Sequence, residues 1–162
     1  LKRFLLERKT YAKKCTNGKQ MSTEQRKDFV QELKAREKDE PISSFLDLRL
    51  VEFTPGYAKV SMPVKKEYLN FNGYIFGGII MSLVDQSFAY ATNSLNFPSV
   101  ASQINIHFIA APEVGDELIG ECRVLKNGRR AAVSEMTVTG KEGKLIARAT
   151  GTTIPINDSS NR

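Results

Sequence analysis

Asp85 is the lone carboxylate in a stretch of apolar and small residues, Ile79-Ile80-Met81-Ser82-Leu83-Val84-Asp85-Gln86-Ser87-Phe88-Ala89-Tyr90-Ala91-Thr92. A charge on a buried helix must be compensated, or its pKa shifts. Apolar neighbours would raise the pKa of Asp85 and strengthen it as a base, acting on water or attacking as a nucleophile. Gly77 and Gly78 stand immediately ahead of that stretch. The start of a helix presents free N–H groups, and its dipole favours negative charge there. Glycine carries no Cβ, so a carbonyl can approach closely, and a preorganised donor of this kind can hold an oxyanion. Both features have plainer readings. The glycines would also serve a tight loop-to-helix turn, and Asp85 would also suit hydrogen bonds to the backbone amides of a neighbouring loop.

The elements that must position these groups follow from periodicity. Within the helix, Ser82, Asp85, Ala89 and Thr92 fall at i, i+3, i+7 and i+10, a narrow stripe of small or polar residues with room for a substrate or a second helix. Upstream, Ser22 to Asp39 reads as a helix, with Ser22 and Gln25 as a capping box and Phe29, Val30 and Leu33 as its apolar face. Pro41 ends the charged run before it, and Ile42 to Leu48 reads as a turn or two of helix anchored by Phe45, Leu46 and Leu48. Period-two segments follow: Leu48–Phe53, a Pro55-Gly56 turn, then Tyr57–Val64, in which Pro63 favours an edge or an end. Beyond the Asp85 helix come Val100–Phe108, Glu117–Leu125, Arg130–Thr139 and Lys144–Pro155. Asn127-Gly128 is a two-residue hairpin signal, and Lys141-Glu142-Gly143 is a turn, so the last three strands form an antiparallel meander. A long antiparallel sheet curled about one helix gives an α+β fold. That helix is apolar almost all round, and one small sheet hardly covers it. Self-association would help, either edge to edge or helix to helix.

Composition narrows the function. The 162 residues suit one domain with a real core. No apolar run approaches the roughly 18 residues that span a bilayer, and no signal-peptide pattern is present, so no membrane partner is expected. Cys15 and Cys122 read as free thiols of a reducing compartment, which points to a cytoplasmic protein. Two Cys and one His leave metal binding without support. The formal net charge is +6, but residues 1–20 hold seven basic and one acidic side chain, and the rest holds seventeen of each. The body thus lacks the basic excess that drives nucleic-acid binding. Residues 1–20 read as a basic leader, an upstream extension or a tail for acidic partners; residues 21–41 as an N-terminal helical segment; residues 42–156 as the main domain; residues 157–162 as a frayed tail.

Asn70, Gly77, Gly78 and Asp85 have the spacing of a known pattern: Asn, five variable residues, His-Gly-Gly, then Asp seven residues after the second Gly. Asn105-Ile106, Pro112, Gly115, the Gly143-Lys144-Leu145-Ile146-Ala147 run and Gly151-Thr152 match as well. Over residues 42–155 the chain resembles the hotdog-fold acyl-CoA thioesterases of the phenylacetate-degradation (PaaI-like) type. Phe76 stands where that family carries histidine, and Ala101, with Ser102 beside it, stands where many members carry a hydroxyl residue.

The resemblance implies hydrolysis of acyl- or aryl-CoA to free acid and CoA. Asp85 would be general base or nucleophile, the Gly77 N–H would polarise the carbonyl, and Asn70 would orient the water or the thioester. It implies no cofactor, since CoA is part of the substrate, and a homodimer or homotetramer in which Asp85 faces the glycine of another subunit. Gly78, Phe76, Ser82, Ala101 and Ser102 become candidate substrate-binding residues. The acyl slot would be lined by Ile79, Leu83, Phe88 and Tyr90 with Phe76. Lys126, Arg129 and Arg130, with Lys65 and Lys66, are candidates for the phosphates of CoA. His107, the only histidine, lies on a strand face with Gln103 and Asn105, away from the Gly-Gly unit, which weighs against dehydratase chemistry. Phe76 and Ala101 leave one alternative open, a hotdog protein that binds acyl-CoA without turnover.

Overall fold

The computed structural model describes residues 23–36 and 39–156. The leader over residues 1–20, Cys15, the Ser22 cap and the tail over residues 157–162 lie outside the described residues. The elements are α1 (Thr23–Arg36), α2 (Pro41–Leu46), β1 (Arg49–Thr54), β2 (Tyr57–Pro63), α3 (Gly77–Asn93), β3 (Ser99–Phe108), β4 (Glu117–Asn127), β5 (Ala132–Thr139) and β6 (Leu145–Pro155). The six strands form one antiparallel sheet in the order β1-β2-β4-β5-β6-β3. The helix α3 lies across β2, β4 and β5, with the β4-β5-β6 meander beneath it. This is the hotdog arrangement.

Alternation explains the core. Val60, Met62, Leu118, Met136 and Val138 point from one sheet face onto α3, and all are fully buried. The helix answers with Leu83, Val84 and Phe88. Two strand glycines let it come close. A Cβ on Gly120 would sit 2.7 Å from Leu83 Cγ, and one on Gly151 would sit 2.8 Å from Phe88 Cζ. The absence of a side chain is thus a packing requirement of the sheet. Gly151→Ala is therefore expected to destabilise the fold by about 1–3 kcal/mol, read as a lower urea midpoint at unchanged m-value.

Three local expectations differ from the structure. The helix α3 begins at Gly77, two residues earlier than the apolar periodicity suggests. Strand β4 runs to Asn127, and the expected two-residue hairpin is a wider turn over residues 128–131, closed by the Gly128 N–H donating to the Ala131 carbonyl at 2.9 Å. A bulge between Val124 and Lys126 shifts the register by one and pairs Asn127 with Ala132. Phe45 is 74 % exposed rather than an anchor. The six-residue α2 turns Ser43 and Leu46 inward at i, i+3 spacing, which sends Phe45 outward. Phe29, Val30 and Leu33 of α1 are buried, as their spacing predicts. Pro63 closes β2, the position where its missing donor costs least. Cys122 is a buried free thiol, and burial pushes its pKa up to about 12. Among the described residues no helix is long and apolar enough to cross a membrane.

Candidate active site

The approach to α3 is tied down by its own backbone. Asn70 Oδ1 accepts from the Asn72 N–H at 2.9 Å and the Tyr74 N–H at 3.2 Å, and the Asn70 N–H donates to the Tyr74 carbonyl at 2.7 Å. The Phe76 N–H donates to the Tyr68 carbonyl at 2.8 Å, which fixes where the helix can start. Phe76 then serves as N-cap in extended conformation (φ −61°, ψ 125°), and its side chain supplies no capping hydrogen bond. A serine or aspartate here would accept from the first-turn amides. Phenylalanine cannot, so the Gly77 and Gly78 N–H groups are left for something else. Two aromatic rings flank them. The Phe76 ring lies where a Cβ on Gly78 would be, and Phe108 Cζ comes within 3.2 Å of the corresponding point on Gly77.

Two turns further on, Asp85 opens into a cleft of about 440 Å³ between α3 and β3. The helix contributes Gly78, Met81, Ser82 and Asp85; the strand contributes Ala101, Ser102, Gln103 and Ile104. Ser82 Oγ donates to the Gly78 carbonyl at 2.9 Å. A bulge between Ala101 and Gln103 interrupts the β3–β6 ladder, and Ser102 Oγ donates to the Thr152 carbonyl at 3.0 Å. Bulges re-aim side chains in this way beside functional sites. The Asp85 side chain is open to the cleft, yet protein atoms crowd it enough that desolvation raises its pKa above the ordinary carboxylate value. The stripe read from the sequence holds together: Asp85, Ala89 and Thr92 line a second recess of about 300 Å³ that continues the cleft toward the end of α3.

Of the candidate residues, the fold gathers Gly78, Ser82, Asp85, Ala101 and Ser102 into one cleft. Asn70, Phe76 and Gly77 sit at or before the start of α3. Lys126, Arg129 and Arg130 are exposed on and beside the β4–β5 turn. That turn is near the opposite end of α3, where Asn96 Nδ2 donates to Asn127 Oδ1. Lys65 pairs with Asp47, which makes it a brace for α2 more than a phosphate ligand. Leu83 is a core residue with no exposure, whereas Phe88, also buried, lines the recess between α3 and β3 beside Asp85. His107 is exposed, opposite Arg148 of β6. Sequence reasoning missed Met81, Gln103 and Ile104 as lining residues. Met81 lies one turn before Asp85 and was findable from helical spacing; the other two follow a bulge that no residue type signals. Among the described residues no three His, Cys, Asp or Glu side chains gather as metal ligands would.

Known proteins share this fold. A family model described as the thioesterase superfamily matches residues 72–147. A protein of Archaeoglobus fulgidus with an esterase name is 37% identical over 145 residues, which cover 89% of this chain and 90% of that one. The acyl-coenzyme A thioesterase PaaI of Escherichia coli is 31% identical over 102 residues, 63% of this chain and 73% of that one. The solved structure of that PaaI protein superposes with a TM-score of 0.75 at 28% identity, covering 78% of this chain and 92% of its own. A hypothetical thioesterase protein of Streptococcus pneumoniae, solved with coenzyme A, superposes with a TM-score of 0.70 at 26% identity, over 77% and 97%. By these matches and this fold, the chain belongs to the PaaI-like hotdog thioesterases and is an enzyme of thioester hydrolysis.

Proposed function

We propose that the protein hydrolyses acyl-CoA thioesters in a site shared between two subunits. The observation that carries the shared site is a distance. Gly77 and Asp85 ride on one rigid helix, eight residues and roughly 12 Å apart, so they cannot grip one carbonyl group within a single chain. The catalytic pair must come from two copies. Strand β3 supplies the means. It is an edge strand of ten residues, bonded only to β6 and exposed along most of its length, with Val100 and Phe108 turned to solvent. A long bare edge of this kind pairs readily. Antiparallel pairing about a two-fold axis near the middle of β3 sets Phe108 of one subunit opposite the start of the other's β3. Phe108 lies on Gly77 of its own chain, and Ala101 and Ser102 line the Asp85 cleft. The partner subunit's Gly77 N–H is thereby carried toward Asp85.

In this reading the Gly77 amide polarises the thioester carbonyl, free of any capping side chain. Asp85, its carboxylate partly desolvated at the cleft wall, takes a proton from water as the water adds to the carbonyl carbon. The oxyanion rests on the helix N-terminus. It collapses to the acid, the C–S bond breaks, and the CoA thiolate recovers the proton from Asp85. Asn70 orients the water or the thioester through its amide nitrogen, because its oxygen is committed to the loop. Ser82 and the Ala101–Ser102 bulge shape the cleft. Lys126, Arg129 and Arg130, exposed on and beside the β4–β5 turn, would meet the phosphates of CoA. The coenzyme A in the pneumococcal relative supports CoA thioesters as the substrate class. Purified protein is expected to release free thiol from a panel of acyl-CoAs, followed with a thiol reagent. Tight acyl-CoA binding with no thiol from any member of the panel would reverse the reading in favour of a non-catalytic binding protein.

A further inference from the structure

Two separate cavities lie on either side of the last turn of α3. The recess beside Asp85, of about 300 Å³, runs past Phe88, Ala89 and Thr92, with Val100, Ala101 and Thr153 facing them from the sheet. A second cavity, of about 370 Å³, lies beyond it and is walled by Leu33, Pro41, Phe97 and Ile156. Ala89, Asn93, Ser99 and Val100 line both and form the seam between them. The Asn93 side chain closes that seam. Asn93 is the last residue of α3, and Ser99 is the first of β3. Asn93 Oδ1 accepts from the Ser99 N–H at 2.8 Å, and Asn93 Nδ2 donates to the Ser99 carbonyl at 3.2 Å and the Ala89 carbonyl at 2.9 Å. A carboxamide held at both its oxygen and its nitrogen cannot swing aside without stranding partly buried backbone groups. It is a fixed wall, roughly 12 Å along the helix from Asp85.

Asp85 stands where the recess meets the wide cleft toward Gly78. A thioester with its carbonyl at Asp85 sends CoA one way and the acyl group the other. CoA is long and carries phosphates, which need water or cations around them. No Lys or Arg lines the recess, and its way along the helix ends on the Asn93 carboxamide. The acyl group is the half of the substrate that suits it. The recess is at the lower end of the size of ligand sites, about 300–1,000 Å³. At about 30 Å³ for each water-sized group, it holds about ten of them.

We infer that the Asn93–Ser99 clasp is the floor of the acyl site, restricting the enzyme to compact acyl groups and making Asn93 the residue that sets chain length. The inference rests on the thioesterase reading and names its substrate class. A hexanoyl chain ends above this floor, whereas a tetradecanoyl chain overruns it.

Acetyl-, hexanoyl- and tetradecanoyl-CoA test it. The expected kcat/KM rises from acetyl to hexanoyl, as methylenes leave water, and falls by about tenfold or more from hexanoyl to tetradecanoyl. Asn93→Ala removes the floor and joins the recess to the cavity beside Leu33, so the tetradecanoyl-to-hexanoyl ratio should rise by about tenfold or more. Asn93→Leu loses the same hydrogen bonds and keeps the branched bulk, so its ratio should stay that of the wild type. A ratio raised in both variants, or in neither, would overturn the floor. Calorimetric titration of the three probes into Asp85→Asn protein leaves the clasp intact and decides the question even where an Asn93 variant fails to fold: affinity should peak at hexanoyl-CoA. Thiol release that keeps growing through tetradecanoyl-CoA would overturn the floor and leave the thioesterase reading intact. Binding that peaks at hexanoyl-CoA with no thiol release from any probe would overturn the thioesterase reading and leave the floor. Binding without regard to chain length, and no release, would overturn both.

Discussion

Asp85→Asn is expected to lower kcat for thiol release by about 10²–10⁴-fold, the range that a positioned general base contributes. Asparagine keeps the size and the hydrogen-bonding reach of the side chain and loses only its basicity, so folding and assembly should survive. The pH dependence gives an independent reading. Desolvation raises the Asp85 pKa, so the ionised base should be lost, and kcat/KM should fall, at a higher pH than an ordinary aspartate would dictate. The stability signature has the opposite sign. Partial desolvation favours the neutral acid, so between the unfolded value of 3.8 and the raised folded value the native state holds more protons than the unfolded chain. Stability therefore declines as pH rises through that window, and the full penalty is present above it. Asp85→Asn removes the penalty. It should melt above the wild type at neutral pH, and the gap should close as pH falls toward 3.8. A slower enzyme that is also the more stable one separates a chemical role from a structural one. A variant that is slow and less stable at neutral pH would assign Asp85 to structure.

Mixing two inactive variants should restore activity. Gly77→Pro removes the one N–H proposed to hold the oxyanion. Proline is well suited to the first position of a helix, and Phe76 already has the extended conformation that a following proline requires. The half-exposed Phe108 ring can yield to the added atoms. Alone, this variant should lose about 10²–10³-fold in kcat, the cost of one oxyanion donor. Asp85→Asn alone is also slow. In a dimer with shared sites, a Gly77→Pro subunit paired with an Asp85→Asn subunit has one site that lacks both groups and one that has both. Equal mixing after reversible dissociation gives half hybrids, so about a quarter of wild-type activity should return. Sites confined to single chains would return none, and the shared-site mechanism would fall. Gel filtration of the mixture checks that hybrids had the chance to form.

Much of this protein was legible as sequence because the informative signals are local. The alternation in Tyr57–Pro63 and Ala132–Thr139, and the apolar run after Gly78, set the elements before any packing is considered. The Asn70, Gly77 and Asp85 spacing set the chemistry worth looking for. The start of α3 was not legible, because two glycines argue against a helix. The turn pinned by Asn70 and the Phe76–Tyr68 hydrogen bond overrides that preference.

What only the tertiary structure decided depends on contacts between residues far apart in the chain. Leu83 reads as a possible acyl-slot residue until Gly120, more than thirty positions away, admits it to the core. The bare edge of β3 follows from strand order, which periodicity does not encode. The cavity beside Leu33 lies where α1 packs onto Phe97 and Glu40 accepts from Gln86 and Tyr90, contacts between segments far apart in the chain. The sequence determined which groups could do chemistry. Long-range packing determined which of them meet, and set Gly77 and Asp85, the proposed catalytic pair, too far apart along α3 to serve one substrate in one chain.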